Sequence, residues 1–198
     1  SRKVTVNAPS LGHVTRSKAR PHLGDVRIRS HNCGGKGTSA GRPEYMARIM
    51  RHVDILCLQE LGCDAVALQD LQTELELAGI DAVIHSRGCT RRNTGVAVIV
   101  RSSVAATSVT VRETGAAPEL QMIVVDVALP RGVAPTLRLV VTHGSHGRAA
   151  QGHYDQVGAA TRALRLSDQA RGVSPDVTMW AADHNMVCDT DLDEIDGT

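Results

Sequence analysis

The 198-residue sequence predicts an α/β protein built as a sandwich of mixed sheets. Short runs rich in Val, Ile and Leu recur along the chain and are typical of buried strands. Two segments with helical spacing, 42–52 and 64–79, lie between the early runs. Several strand-like runs then follow one another from 94 to 143 without a helix between them. This order favours mixed sheets over a fully parallel, doubly wound fold.

The composition fits one soluble globular domain with an aliphatic core. Hydrophobic residues make up 42% of the chain and charged residues 22%, and the chain has no Phe, one Trp and two Tyr. That length and apolar content suffice for a sizeable core. The scarcity of aromatic residues disfavours a protein that binds single strands by base stacking.

Charge is balanced overall but unevenly distributed. There are 22 Lys and Arg against 21 Asp and Glu, so net charge alone implies no partner. Residues 1–24 are predicted to form a basic N-terminal arm, and residues 25–198 the domain itself. A basic arm can bind nucleic acid, and a solvated, disordered tail is at least as good an interpretation. The segment 183–196 contains six acidic residues and no Lys or Arg.

Cysteine usage predicts a reducing, intracellular compartment. The five cysteines are odd in number and form no Cys-x-x-Cys pair, and Cys57 lies in an apolar run. A disulfide framework or a zinc site is therefore disfavoured. No apolar run reaches the roughly 18 residues of a membrane span, and the N-terminus has no signal-peptide core.

The first half of the chain is predicted to contain two helices and four strands. The first helix has Pro43 suited to its first turn. The second begins after Asp64, a suitable N-cap, and ends at Gly79. The strands are predicted at 25–32, 54–60, 80–86 and 94–101.

The second half is predicted to contain four strands and one long helix. Apolar spacing marks the helix from about Tyr154 through Leu164, with an end near Gly172. The strands are predicted at 107–113, 119–129, 136–143 and 176–185.

In four of these strands, a row of apolar residues on one face ends in a polar residue at the carboxyl end of the strand. Residues two apart share a face of a strand. The rows are Val26 and Ile28 with Asn32; Leu56 and Leu58 with Glu60; Leu137, Leu139 and Val141 with His143; and Val177, Met179 and Ala181 with Asp183 and Asn185. For a single strand, a polar residue that merely starts a loop is the simpler interpretation. Four such endings predict a polar cluster at one rim of the core, but they do not by themselves identify its chemistry.

The motifs RIRSHN, DILCLQE, GVAVIV, LVVTH and VTMWAADHN resemble those of the endonuclease/exonuclease/phosphatase superfamily in order and approximate spacing. The resemblance covers about residues 26–185. It implies a four-layer α-β-β-α sandwich of two mixed sheets. It also implies hydrolysis of phosphate esters with Mg²⁺ or Mn²⁺ at one edge of that sandwich.

The resemblance assigns a role to each residue of the predicted cluster. Glu60 matches the metal-binding glutamate, and Asn32 matches the asparagine beside the metal. Asp183 matches the aspartate that orients or deprotonates the attacking water. Asn185 matches its partner on the phosphate oxygens, and His143 matches a histidine that contacts the phosphate.

The sequence also departs from the family pattern. His31 stands where the family often has Trp, and Ala182 replaces the glycine of Gly-Asp-x-Asn. His143 differs from the tyrosine usual in the apurinic and retroelement branches, which disfavours an apurinic specificity. The family's closing Ser-Asp-His motif has no match, because Ser167-Asp168-Gln169 falls on the predicted helix and lacks the histidine. We expect the late strands of the second sheet to be missing with it, and the 198 residues alone to hydrolyse substrate negligibly.

The leading hypothesis is a metal-dependent nuclease domain that acts on DNA rather than RNA, with Arg91 and Arg92 contacting phosphates. A retroelement origin is compatible with it. Two alternatives remain open: an inactive descendant that serves as a nucleic-acid-binding or structural module, and a phosphatase or phosphodiesterase for lipid or inositol phosphates. Protein partners are not predicted. His146 and His153 are expected at loop or helix-surface positions.

Overall fold

The structure of the chain is a computed structural model. It describes residues 3–4, 26–34, 42–62, 64–88, 95–104, 108–112, 114, 120–129, 136–144 and 150–183.

The first sheet has five strands in the order β1-β2-β3-β5-β4. Strands β2 and β3 are parallel, whereas the β1–β2, β3–β5 and β4–β5 pairs are antiparallel, so the sheet is mixed. The strands are β1 Lys3–Val4, β2 Ile28–Asn32, β3 Ile55–Gln59, β4 Ala82–Arg87 and β5 Val96–Arg101.

The second sheet has four strands in the order β6-β7-β8-β9. Its first two pairs are antiparallel and the β8–β9 pair is parallel, so this sheet is mixed as well. The strands are β6 Ser108–Val111, β7 Met122–Ala128, β8 Thr136–His143 and β9 Val177–Asp183.

Within the ranges that the structure describes, three helices pack on these sheets: α1 Arg42–Met50, α2 Ala65–Leu77 and α3 Ala150–Arg171. The predicted limits of α2 are confirmed. The Asp64 side chain accepts a hydrogen bond from the backbone N–H of Ala67 at 2.9 Å, and Gly79 has a φ of 70°. A left-handed glycine after the last turn satisfies orphan carbonyls without a steric penalty.

Three aliphatic clusters separate four layers. The first lies between α1, α2 and the first sheet and includes Met46, Leu56 and Leu71. The second fills the space between the sheets and includes Ile55 and Leu139. The third packs α3 against the outer face of the second sheet (Val124, Val140, Leu164). The predicted four-layer α-β-β-α sandwich is confirmed.

Strand β1 was not predicted. Lys3 and Val4 pair antiparallel with Arg29 and Ile28, so these two residues of the predicted basic arm add a short strand to the first sheet. The domain boundary at residue 24 stays a prediction. No helix in the described residues is long and apolar enough to cross a membrane.

Cys33 and Cys57 are buried thiols. Burial raises the pKa of the Cys57 thiol to about 12. A thiol kept protonated in an apolar core is not a nucleophile, so Cys57 serves packing.

Candidate functional site

The carboxyl ends of four strands meet at one edge of the sandwich. Asn32 pairs with Gln59 in the parallel register of β2 and β3, and His143 pairs with Asp183 in that of β8 and β9. Parallel strands bring their carboxyl ends to the same sheet edge. The sequence-predicted positions 32, 60, 143 and 183 therefore lie at this edge, two from each sheet.

The Glu60 carboxylate joins the two halves of this edge. Its Oε1 atom accepts a hydrogen bond from Asn32 Nδ2 at 3.2 Å, and His143 Nε2 lies 2.9 Å from the same oxygen. The side chains of His143 and Glu60 are only 8% and 14% exposed. Within the described residues both contacts fall on Oε1, so Oε2 remains available to another ligand.

The backbone of Glu60 explains how the side chain reaches the second sheet. Leu56 and Leu58 pack beneath α1 and α2, and the predicted alternation would send Glu60 to that same face. Glu60 instead has a φ of 49°, which ends β3 and turns the side chain toward His143. The prediction that Glu60 shares the face of Leu56 and Leu58 is therefore wrong. A non-glycine residue in the left-handed region is strained by about 1 to 2 kcal/mol, and such strain clusters at functional sites.

Asn32 is oriented by the turn that follows it. Its Oδ1 atom accepts a hydrogen bond from the backbone N–H of Gly34 at 2.7 Å. A backbone N–H is only a donor, so the amide oxygen must face Gly34 and the amide nitrogen must face Glu60. This orientation holds the Glu60 carboxylate in place.

Sequence reasoning missed Gln59. Its side chain is 1% exposed and donates hydrogen bonds from Nε2 to the Ala181 carbonyl at 3.2 Å and to Ser30 Oγ at 3.0 Å. An amide at the end of a row otherwise formed by Ile55 and Cys57 was the available signal. A buried polar side chain in a sandwich core requires a partner.

The part of this edge that belongs to the second sheet contacts α3. Thr142 donates from Oγ1 to the Gln121 carbonyl at 2.9 Å, and this Oγ1 lies 3.3 Å from His153 Nε2. His153 is buried at 8% exposure. The expected surface position of His153 is therefore wrong, because its ring packs inward and ties the first turns of α3 to β8.

The donor set fits a hard, well-hydrated cation better than a closed metal cage. No group of three His, Cys, Asp or Glu side chains that could hold a metal occurs in the described residues. Mg²⁺ typically binds one or two carboxylates, keeps several waters and contacts substrate phosphates. Glu60 offers such a carboxylate, and the remaining ligands would be water, substrate oxygens or residues outside the described ranges.

Three sequence-predicted residues lie outside the described residues: Asn185, Arg91 and Arg92. Of Asp183 the structure describes the backbone position at the end of β9. His146 also lies outside the described ranges.

A second polar cluster lies on the outer face of the second sheet, beneath α3. Arg138 forms two 2.7 Å bonds with Asp126 and a further ion pair with Asp168 of α3. Arg112 contacts both aspartates. We call these four residues the ion-pair network. Hydrogen bonds and charge attraction, with Asp126 contributing most, raise the pKa of Arg138. Asp168 thus fastens α3 to the sheet.

The sequence profile of the Endonuclease/Exonuclease/phosphatase family matches residues 30–177, which is more than half of the chain. The chain belongs to this family, whose members are metal-dependent phosphodiesterases, nucleases and phosphatases. These enzymes generally use divalent metals. A search of curated proteins by sequence found no match.

Solved structures share the fold at low sequence identity. A truncated TDP2 from Caenorhabditis elegans is 18% identical with a TM-score of 0.54, and the match covers 81% of this chain and 62% of that one. An AP endonuclease, LMAP, from Leishmania major is 16% identical with a TM-score of 0.53, covering 80% of this chain and 54% of that one. The human Nocturnin catalytic domain with bound sulfate is 15% identical with a TM-score of 0.50, covering 82% and 64%. The chain thus spans between about half and two-thirds of these relatives.

Proposed function

We propose that this chain forms the core of a divalent-metal-dependent phosphodiester hydrolase that acts on nucleic acid. One observation carries the proposal. The Glu60 carboxylate is held by Asn32 and His143 where the strand ends of both sheets meet. Such a carboxylate on rigid strand ends suits a cation that neutralises phosphate charge and orients the attacking water.

Each residue of the cluster receives a role in this proposal. Glu60 binds Mg²⁺ or Mn²⁺, and Asn32 keeps its carboxylate oriented through the 3.2 Å hydrogen bond. His143, at the end of β8, contacts the phosphate once substrate enters. Asp183, opposite it at the end of β9, orients or deprotonates the attacking water. Asn185 contacts the phosphate oxygens.

Nucleic acid is preferred over lipid or inositol phosphates because of the basic residues near the N-terminus and at Arg91 and Arg92. Lys and Arg side chains supply the phosphate contacts that dominate nucleic-acid affinity. DNA is preferred over RNA. One of the similar structures, the protein from Leishmania major, is an AP endonuclease.

Cleavage of a labelled duplex oligonucleotide tests the hydrolase. The assay is run on the 198-residue polypeptide and on a longer one that includes any Ser-Asp-His motif encoded after Thr198. Asp183→Asn should lower Mg²⁺- or Mn²⁺-dependent cleavage by roughly 10² to 10⁴. Asp70→Asn, a change at an exposed carboxylate on α2, is the matched control.

The outcomes separate the candidate functions. Metal-dependent DNA binding without cleavage would favour the inactive descendant. Hydrolysis of an inositol phosphate with no action on DNA would favour the head-group phosphatase. Equal cleavage by Asp183→Asn and the parent would contradict the role of Asp183.

The salt dependence of DNA affinity tests the basic turn. Replacing Arg91 and Arg92 by Ala should reduce the log–log slope of affinity against salt by about 0.7 to 0.9 for each lost phosphate contact. Arg51→Ala with Arg162→Ala removes the same charge from exposed positions elsewhere and is the control. An equal slope change in both double variants would assign the effect to net charge instead of contact.

A further inference from the structure

Gln59 is a buried amide at the end of a largely aliphatic interface between the two sheets. It continues the row of Ile55 and Cys57, whose side chains pack in the cluster between the sheets, and it is 1% exposed. A hydrophobic residue of similar volume would fill this space without needing partners. The polar side chain therefore needs an explanation, since a buried amide is stable only when it is hydrogen-bonded.

The contacts of Gln59 cross the sandwich. Its Nε2 donates to the Ala181 carbonyl of β9 at 3.2 Å, in the second sheet. The same amide bonds Ser30 of β2 at 3.0 Å, in the first sheet. Its backbone carbonyl accepts a hydrogen bond from the N–H of Cys33 at 2.8 Å. One residue thus links β2, β3 and β9.

These anchor points are next to the residues of the candidate site. Gln59 immediately precedes Glu60, and Cys33 immediately follows Asn32. Ala181 is two residues before Asp183 in β9. Within the described strands β9 has a neighbour on one side only, and the Gln59 bond gives it a contact with the first sheet.

We propose that Gln59 is the positioning residue that sets the distance between the two halves of the site. It holds the half with Asn32 and Glu60 against the half with His143 and Asp183. The assignment rests on the proposed function, because a fixed distance between the two halves matters for metal-assisted hydrolysis. A displacement of 1 Å in a catalytic arrangement can lower a rate by about 10².

The chain offers a matched control for this proposal. Gln59→Met keeps the length of the side chain but removes its donors and acceptor. Gln72 also donates from Nε2 to a strand carbonyl, that of Ala82, at 3.2 Å, and joins α2 to β4. Gln72→Met therefore removes a comparable hydrogen bond from a place outside the site. Gln59→Asn retains the amide but shortens its reach by one methylene.

NMR on the metal-free protein tests the contact first. Gln59→Met and Gln59→Asn should shift the backbone amide signals of Ala181, Ala182 and Asp183, and Gln72→Met should leave them in place. Unfolding of each variant is monitored separately by the emission of Trp180, the only tryptophan of the chain. Unshifted signals in a folded Gln59→Met would overturn the proposal.

Mn²⁺ then tests the positioning. A paramagnetic ion at Glu60 should broaden the amide signals of Cys33 and of Ala181–Asp183. In Gln59→Met the broadening at Ala181–Asp183 should fall relative to that at Cys33. In the longer polypeptide used for the cleavage assay, a displacement of 1 Å should lower turnover by about 10² with little change in KM. A purely structural role would leave the broadening ratio and kcat of the folded variant at the parental values, and this result would overturn the proposal. Absence of broadening at Cys33 in the parent protein would instead overturn the proposed metal function, and with it the use assigned to Gln59.

Discussion

In the described part of the chain, two polar clusters differ in how their carboxylates are paired. In the ion-pair network, all four carboxylate oxygens of Asp126 and Asp168 contact Arg side chains. Their side chains are 9% and 5% exposed. At the site edge, by contrast, the Asn32 and His143 contacts fall on one oxygen of Glu60. The backbone there is left-handed.

The difference separates a structural cluster from a candidate catalytic one. A buried carboxylate whose two oxygens both contact arginines holds the layers together. Removing one partner of such a pair leaves the other charge buried and uncompensated. A carboxylate that has only one oxygen in contact with the described residues, on a strained backbone, contributes less to the stability of the fold. That arrangement accommodates a cation, and natural proteins tolerate such strain mainly where function requires it.

The largest expected effect comes from breaking the ion-pair network. Asp168→Asn should lower the free energy of unfolding by about 3 to 5 kcal/mol, because it leaves Arg112 and Arg138 short of one buried negative charge. Urea denaturation measures the change, with the exposed Asp70→Asn as control. Mn²⁺ affinity of the folded fraction should not change. A decrease in the free energy of unfolding of less than about 1 kcal/mol, or a loss of metal affinity in the folded variant, would contradict the distinction between the two clusters.

A smaller effect is expected from the backbone of Glu60. Glu60→Ala and Glu60→Gly both remove the carboxylate and differ only in the Cβ atom. At ordinary φ the alanine variant would be the more stable one, but at the φ of 49° found here the order should reverse by about 1 kcal/mol. Denaturation curves of the two variants provide the comparison. Greater stability of Glu60→Ala would show that the backbone is unstrained.

The smallest expected effect is a loss of folding stability at low pH. Burial lowers the pKa of His85 below its ordinary value of 6.5, and no hydrogen-bond partner for its buried Nε2 lies within the described residues. The unfolded chain binds the proton more readily. The part of the free energy of unfolding that depends on neutral His85 is therefore fully present above about pH 6.5. It declines as the pH falls toward the lower pKa that His85 has in the folded protein.

Urea curves at pH 7.5 and pH 5.5 check this dependence on acid. His85→Gln should lose less stability between the two values than the parent, and the exposed His52→Gln should behave like the parent. An identical decline in the parent and in His85→Gln would contradict the assignment of the acid sensitivity to His85.

Periodicity predicted most of the fold because each element follows a simple rule. The period-two rows of β2, β8 and β9 correctly led from apolar residues to Asn32, His143 and Asp183 at one edge. The Asp64 cap and Gly79 correctly bounded α2. These features depend on local backbone geometry, which neighbouring residues determine.

Long-range pairing was beyond such reasoning. Arg138 alternates with Leu137 and Leu139, a pattern typical of a solvent-facing position, yet it is 6% exposed and ion-paired with Asp126 and Asp168. Its burial depends on α3, which follows it in the chain. The left-handed turn at Glu60 was equally hidden, because no glycine or asparagine marks it. Gln59 had a visible signal, but its partner Ala181 is 122 positions away.

The central claim is that Glu60 binds a divalent cation at the meeting point of the two sheets. Calorimetric titration with Mn²⁺ and Mg²⁺ tests it most directly on the parent, Glu60→Gln and the exposed control Glu44→Gln. Glutamine can still accept hydrogen bonds from Asn32 and His143, so Glu60→Gln should fold normally. It should bind Mn²⁺ at least about 10-fold more weakly than the parent, while Glu44→Gln binds like the parent. Equal Mn²⁺ affinity of all three proteins would contradict the claim.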